Sequence, residues 1–331
     1  MAQDDRFLIL REGEAEGLVM PTEALEAIEA AWRDYGTSRQ VLSRPSSQSL
    51  ACGDTVFKVK GAVLPGAGLA GFRLVADNRD AEGETTRDWF WLAEAAGGRP
   101  VALVEAFWLH CLRTAATGAL AARMLAPPGL RRAALVGAGR IGAHLLPALA
   151  AAMPGLEVVS VASRRIEAVE AFCRRAQPGL PFALRPAGSA AEACLGAELV
   201  LTITNATAPV LHAAHLAPGA TVIGLGDTEI AADVLGWADR FVVDDLSFAL
   251  QTGSVAGWVA SGAVTAAQVA ARLDADIGEL AAGLKPGRRA PGDAVLAVVQ
   301  GMAVGDLATV ALAWRKAREA GLGARVDLAR A

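Results

Sequence analysis

Lysine is scarce in this chain: of its 31 basic residues only Lys58, Lys60, Lys285 and Lys316 carry an amine. Any chemistry that needs a side-chain amine therefore has few places to occur. Basic charge is not in excess either, since the formal net charge is -4. Without a dense basic stripe there is nothing to meet a phosphate backbone, and the acidic surplus is too small for a solvated tail, so no nucleic-acid partner is expected. Cys52, Cys111, Cys173 and Cys194 are far apart with no Cys-x-x-Cys pair, and the four histidines show no His-Glu-x-x-His spacing. Neither a disulfide framework nor a metal site is predicted. Every apolar run is broken by charge, glycine or proline before the ~18 residues of a membrane span. The opening "MAQDDRFLIL" is acidic where a secretory leader is basic. These absences predict a soluble cytoplasmic protein with no membrane partner and a small-molecule ligand.

What is present suffices for more than one core, because 331 residues exceed the usual single domain. In "MPTEALEAIEAAWRDYG", Leu25, Ile28, Trp32 and Tyr35 recur at helical spacing, with Thr22 placed to cap and Gly36 to stop the helix. From Ser43 to Val104 short β-like runs follow, "VFKVKG", "GFRLVAD" and "DWFWLAE", separated by turn residues. Alternation puts Lys58 and Lys60 on one face of their run, and Trp89 and Trp91 on one face of theirs, where a core or dimer-interface face is the favoured reading. A helix "LHCLRTAATGALAARML" leads to "APPG", marking a boundary near residue 127. Beyond it strands alternate with helices, from "RAALVGAG" and "RIGAHLLPALAAAM" to "GATVIGLGD" and "RFVVDD". That rhythm predicts an α/β fold with a Rossmann-type, doubly wound parallel sheet. The predicted organisation is an N-terminal α+β substrate-binding and dimerisation domain, residues 1–126, and a nucleotide-binding domain, residues 127–293. A final helix beginning near residue 294, within the segment 294–331, packs back against the first domain.

The segment "LVGAGRIG" places Gly137, Gly139 and Gly142 in Gly-x-Gly-x-x-Gly spacing between a strand and a helix, with Arg140 and Ile141 inside the turn. Glycine there permits a tight turn, backbone approach to a pyrophosphate, and close helix-to-sheet packing. About twenty residues on, an acidic residue would take the ribose 2'-hydroxyl of NAD. The second strand instead ends in "VASRR", and Ser163, Arg164 and Arg165 suit a 2'-phosphate. NADP(H) is therefore expected in preference to NAD(H). Asp227, at the end of the apolar run in "TVIGLGDTE", stands where ligands of open parallel sheets lie, beyond the carboxyl ends of the strands.

The order of "RTAATGALAARMLAPPG", "VGAGRIG", "TITNATAPVL", "PGATVIGLGD", "FVVDD", "GRRAPGDAV" and "GMAVGDLA" resembles the ornithine cyclodeaminase and mu-crystallin family over nearly the whole chain. The resemblance implies a homodimer acting on a small imino or amino acid. Members include NAD(P)H-dependent imine reductases, amino-acid dehydrogenases, cyclodeaminases that recycle a retained NAD, and a lens protein. By position, Asp227 is similar to the family's catalytic aspartate, and Arg44 in "LSRP" and Arg113 in "LRTAA" match arginines that bind the substrate carboxylate. Asn205, directly after "LTIT", looks placed near the nicotinamide ribose, and Thr204, the last residue of that run, joins it among the expected cofactor-binding residues.

Two departures qualify the resemblance. Arg73 in "GFR" stands where the family has a lysine, and a guanidinium holds an anion without trading protons. The lysine's proton role is then absent or moved: Asp227 can carry it, with Lys60 as the favoured amine, and either Lys60 or Lys58 can supply the proton or bind a second carboxylate unless both stand on a solvated edge strand. The loop after Asp227 is also shorter than in many members. Both features weigh against the cyclodeaminase reaction. The expected function is an NADP(H)-dependent reductase of an imino acid, with a cyclodeaminating lyase and a nucleotide-dependent binder without turnover as the alternatives.

Overall fold

The structure, a computed structural model, describes residues 6–14, 16–80 and 83–328. The outermost ends of the predicted domains, residues 1–5 and 329–331, lie outside the described residues. The chain divides into two compact units: Met1–Arg113 with Met302–Ala331, and Thr114–Gly301.

In the first unit, β1 (Phe7–Leu10), β2 (Gln48–Cys52), β3 (Thr55–Leu64), β4 (Leu69–Asp80), β5 (Gly83–Glu94) and β6 (Pro100–Glu105) join the C-terminal strand Ala324–Val326 in one sheet. Its order is C-terminal strand, β1, β6, β5, β4, β3, β2. The pairs are antiparallel except β1 with β6. Register decides which side chains meet. Lys60 lies opposite Arg73, Arg73 opposite Phe90, and Val75 opposite both Lys58 and Asp88, so these residues share one face. The C-terminal helix Ala303–Glu319 lies across β3, β4 and β5 and packs on α1 (Pro21–Thr37). α1 buries Leu25, Ile28, Trp32 and Tyr35, as the helical spacing predicts. Its cap is Met20 rather than Thr22: Pro21 opens the helix, Glu23 accepts from the Met20 N–H at 2.9 Å, and the helix runs one residue past Gly36.

The opposite face of this sheet carries Leu50, Phe57, Val59, Phe72, Leu74, Trp89, Trp91 and Leu103. Here large apolar groups are exposed, Leu50 by 76%, Phe57 by 47% and Phe72 by 43%. Phe72 stacks on Trp91 at 5.9 Å. Val59, Phe72, Leu74, Trp91 and Leu103 line an apolar depression of about 500 Å³.

The second unit is built on β7 (Arg132–Val136), β8 (Val158–Ala162), β9 (Ala183–Ala187), β10 (Leu199–Thr202), β11 (Thr221–Gly224), β12 (Arg240–Val243), β13 (Ala275–Asp276) and β14 (Val295–Val298). They form one parallel sheet in the order β13-β12-β14-β11-β10-β7-β8-β9. β10, β11, β12 and β14 are buried at every position, as expected of strands covered on both faces.

Two predicted boundaries are corrected. The final helix does not begin near residue 294, because Val295–Val298 is β14, paired between β11 and β12; the helix starts at Ala303. A short, wholly apolar run has the same pattern in a buried strand and a buried helix. The unit boundary falls inside α2 (Phe107–Leu125), between Arg113 and Thr114, rather than at the prolines after it. Pro147 sits half-buried in α3 (Arg140–Ala152), which continues unbroken past it.

Candidate active site

The parallel sheet places the candidate site segments in order along its carboxyl edge. Where β7 ends, Gly137 adopts φ +131°, a conformation that favours glycine. A Cβ there would lie 2.0 Å from the Ile203 carbonyl oxygen, so the turn and the end of β10 approach as only glycine permits. A Cβ at Gly142 would meet the Gly137 carbonyl oxygen at 2.4 Å. Gly139 differs: a Cβ there would meet nothing within 4 Å, yet the residue caps the N-terminus of α3. The protein's own packing does not demand that glycine. Open space before the unpaired N–H groups of a helix is the seat of an anion, and the turn therefore fits a dinucleotide pyrophosphate. Arg140 is exposed and Ile141 half-buried beside it.

Ser163, Arg164 and Arg165 fill the turn between β8 and α4 (Ile166–Ala176), with both guanidinium-bearing residues exposed. On the other side of β7, the loop after β10 carries half-buried Thr204 and exposed Asn205. One strand further, the turn after β11 carries Asp227, exposed, whose Oδ1 accepts from Gln300 Nε2 at 2.6 Å.

Glu229 had no sequence signal of its own. It is fully buried, and it ties two of these loops together. Its Oε2 accepts from Thr202 Oγ1 at 2.8 Å and from the Gly226 N–H at 2.8 Å, while Oε1 accepts from the Thr204 N–H. Thr228 Oγ1 also donates to the Ala206 carbonyl oxygen. Burial pushes the Glu229 carboxyl up to about 7, and the donors from Thr202, Gly226 and Thr204 offset only part of that rise. The short turn carrying Asp227 is thus bound to the loop carrying Thr204 and Asn205.

In the first unit, α2, β4, β5 and the C-terminal helix assemble a buried charge network. Arg73 grips Asp88 with two bonds, Nε to Oδ1 at 2.8 Å and Nη2 to Oδ2 at 2.5 Å. Its Nη1 lies 3.6 Å from Asp306 Oδ1, and Arg113 Nε also meets that oxygen. Burial works against the Arg73 charge, but Asp88 and Asp306 outweigh it and hold its pKa above the ordinary guanidinium value. Arg73 and Arg113 are thereby brought together through Asp306. Arg113 Nη2 also lies 3.0 Å from His110 Nδ1. A guanidinium only donates, so Nδ1 is the acceptor and the His110 proton sits on Nε2. His110 stays neutral because burial, then the charges of Arg73, Arg113, Lys60 and Lys58, push its pKa far down.

Lys60 faces the same side as Arg73. Lys58 pairs with Asp77 at 3.1 Å. Arg44 is exposed in the bend before β2. Asp306 lies in "GMAVGDLA" and Asp88 opens "DWFWLAE", but neither run says which guanidinium its carboxylate meets. The antiparallel register, which sets Asp88 beside Arg73, would have been the usable signal. Among the described residues no cluster of His, Cys, Asp or Glu can hold a metal ion, and no helix is long and apolar enough to cross a membrane.

A glycine turn before a helix N-terminus, on the carboxyl edge of a parallel sheet, defines a dinucleotide-binding protein of Rossmann type. The chain belongs to the ornithine cyclodeaminase/mu-crystallin family, whose model matches residues 7–321. It is 27% identical to an alanine dehydrogenase of Archaeoglobus fulgidus, over 98% of this chain and 99% of that protein. A Delta(1)-pyrroline-2-carboxylate reductase of Bacillus cereus is 24% identical, over 97% and 100%. Among solved structures, an archaeal alanine dehydrogenase dimer with bound NAD superposes with a TM-score of 0.84 at 26% identity, covering 97% of this chain and 99% of that one.

Proposed function

We propose that this protein is an NADP(H)-dependent reductase of an imino acid, working in reverse as an amino-acid dehydrogenase. It is an NAD(P)-dependent oxidoreductase acting on C–N bonds; the proposal concerns cofactor preference, substrate and residue roles. The observation that carries it is the order of residues along the carboxyl edge of the parallel sheet. From β8 to β7, β10 and β11 come Ser163-Arg164-Arg165, the glycine turn, Thr204-Asn205, and Asp227. Three strand spacings of ~4.8 Å carry that series across about 14 Å, in the order of a 2'-phosphate, a pyrophosphate, a nicotinamide ribose and the reacting substrate.

Arg164 and Arg165 with Ser163 hold the 2'-phosphate. Gly137, Gly139, Arg140, Ile141 and Gly142 hold the pyrophosphate, and Thr204 and Asn205 the nicotinamide end. The bound cofactor supplies the hydride. Asp227 keeps a proton on the imine nitrogen, so that when the hydride reaches the α-carbon the C=N π pair settles on that nitrogen as an amine. Arg44 and Arg113 clamp the substrate carboxylate, Arg113 with its Nε already fixed on Asp306. Lys60 serves as the amine that the family lysine would otherwise provide, Lys58 as a second anion contact, and Arg73 as the fixed charge beside them. The exposed apolar face of the first unit's sheet, centred on Phe72 and Trp91, is the homodimer contact.

The test combines pure protein, NADPH or NADH, and a panel of cyclic imino acids and 2-oxo acids with amines. Net oxidation of NADPH with formation of an amino acid supports the reading. Ammonia release from a diamino acid without net cofactor change indicates a lyase, and binding without either indicates a carrier.

A further inference from the structure

We propose that Gln300 is a positioning residue for Asp227, fixing the carboxylate in one orientation through an amide that its own surroundings lock in place. The proposal rests on the reading of Asp227 as the group that meets the substrate nitrogen.

The main chain is pinned where the Gln300 side chain departs. Just beyond β14, the N–H groups of Gln300 and Gly301 each donate to Asp244 Oδ2 at 2.8 Å, and Asp244 is buried. The side chain then lies against Gly253, the first residue of the helix Gly253–Ala260, at φ +78°. A Cβ on residue 253 would fall 2.2 Å from Gln300 Oε1 and 2.5 Å from its Cδ. The seat exists because residue 253 has no side chain. From that seat Nε2 donates to Asp227 Oδ1 at 2.6 Å and reaches the Gly226 carbonyl oxygen at 3.4 Å. Both are acceptors, so the amide has one consistent orientation, nitrogen toward Asp227 and oxygen toward Gly253.

An aspartate on an exposed turn has several rotamers open to it, and a donor of fixed origin selects one of them. An amide does not exchange its charge state at working pH, so Gln300 orients the carboxylate without joining the proton transfer. With Oδ1 held, Oδ2 is the oxygen turned to the substrate nitrogen.

Gln300→Met keeps length and volume while removing the donor. With NADPH and Delta(1)-pyrroline-2-carboxylate as probe, kcat is expected to fall on the order of tenfold, with Kd for NADPH unchanged within about twofold. In an Asp227→Asn background the same substitution should change kcat by less than about twofold, because nothing remains to be oriented. Gln300→Glu sets carboxylate against carboxylate and should lower kcat further. Unchanged kcat in Gln300→Met, an equal loss in the Asp227→Asn background, or a loss of NADPH affinity in its place overturns the proposal. If the unaltered protein reduces no imino acid, the reading of its activity fails separately, and crystal structures decide the positioning. One Asp227 rotamer in the unaltered protein and several in Gln300→Met support it; the same single rotamer in both overturns it.

Discussion

Replacing Glu229 by glutamine should flatten the way stability falls between mildly acidic and mildly alkaline pH. The carboxyl is buried, and its pKa in the folded chain is raised from 4.5 to about 7. A raised carboxyl binds its proton more tightly folded than unfolded. Its contribution to stability is therefore fully present below about 4.5 and is lost as pH rises through about 7. At ~1.4 kcal/mol per pH unit, the shift corresponds to about 3 kcal/mol between those limits. Glutamine cannot titrate, but it also turns an NH2 group toward donors from Thr202, Thr204 or Gly226, which adds a penalty that does not vary with pH. The pH dependence of the difference, not its offset, carries the prediction. Urea unfolding of both proteins from pH 5 to pH 8 should show Glu229→Gln gaining on the unaltered protein by about 2–3 kcal/mol over that range. Parallel curves would mean that the Glu229 carboxyl is ionised throughout and that its donors outweigh its burial.

Arg164→Asp should reverse the cofactor preference, raising kcat/KM with NADH relative to NADPH by at least about tenfold, since a carboxylate repels a 2'-phosphate and accepts from a 2'-hydroxyl. Equal or better use of NADH by the unaltered protein would remove the basis for that substitution. Arg73→Met leaves Asp88 buried without its guanidinium and should cost about 3–5 kcal/mol in denaturant unfolding; a cost under about 1 kcal/mol would show that the pair does not support the first unit. Phe72→Arg introduces a charge at the centre of the exposed apolar face and should give a folded monomer by analytical ultracentrifugation. A dimer that survives it places the subunit contact elsewhere.

The nucleotide-binding unit was largely legible from the sequence because its constraints are local. Gly137, Gly139 and Gly142 must stand at fixed spacing between a strand and a helix, and a covered parallel sheet writes its strands as short apolar runs. β3, β4 and β5 were legible from alternation. That logic failed at Val295–Val298, since a strand buried on both faces loses the alternation that separates it from a helix. The partners of the expected site residues were hidden for a different reason. Asp88 meets Arg73 through an antiparallel register, Asp306 meets Arg113 from a helix nearly two hundred positions later in the chain, and Gln300 reaches Asp227 from a neighbouring strand end. Glu229 stood in view two residues beyond Asp227, but its role depends on the turn folding back onto Thr202 and Thr204.

Hydride transfer between a nicotinamide and the α-carbon of an imino acid is tested most directly with labelled cofactor. With NADPH deuterated at the transferring position of nicotinamide C4, an imino acid that is turned over should yield an amino acid carrying one deuterium at its α-carbon, in step with NADPH consumed. Product formed without deuterium, or ammonia released while the cofactor returns unchanged, would contradict it.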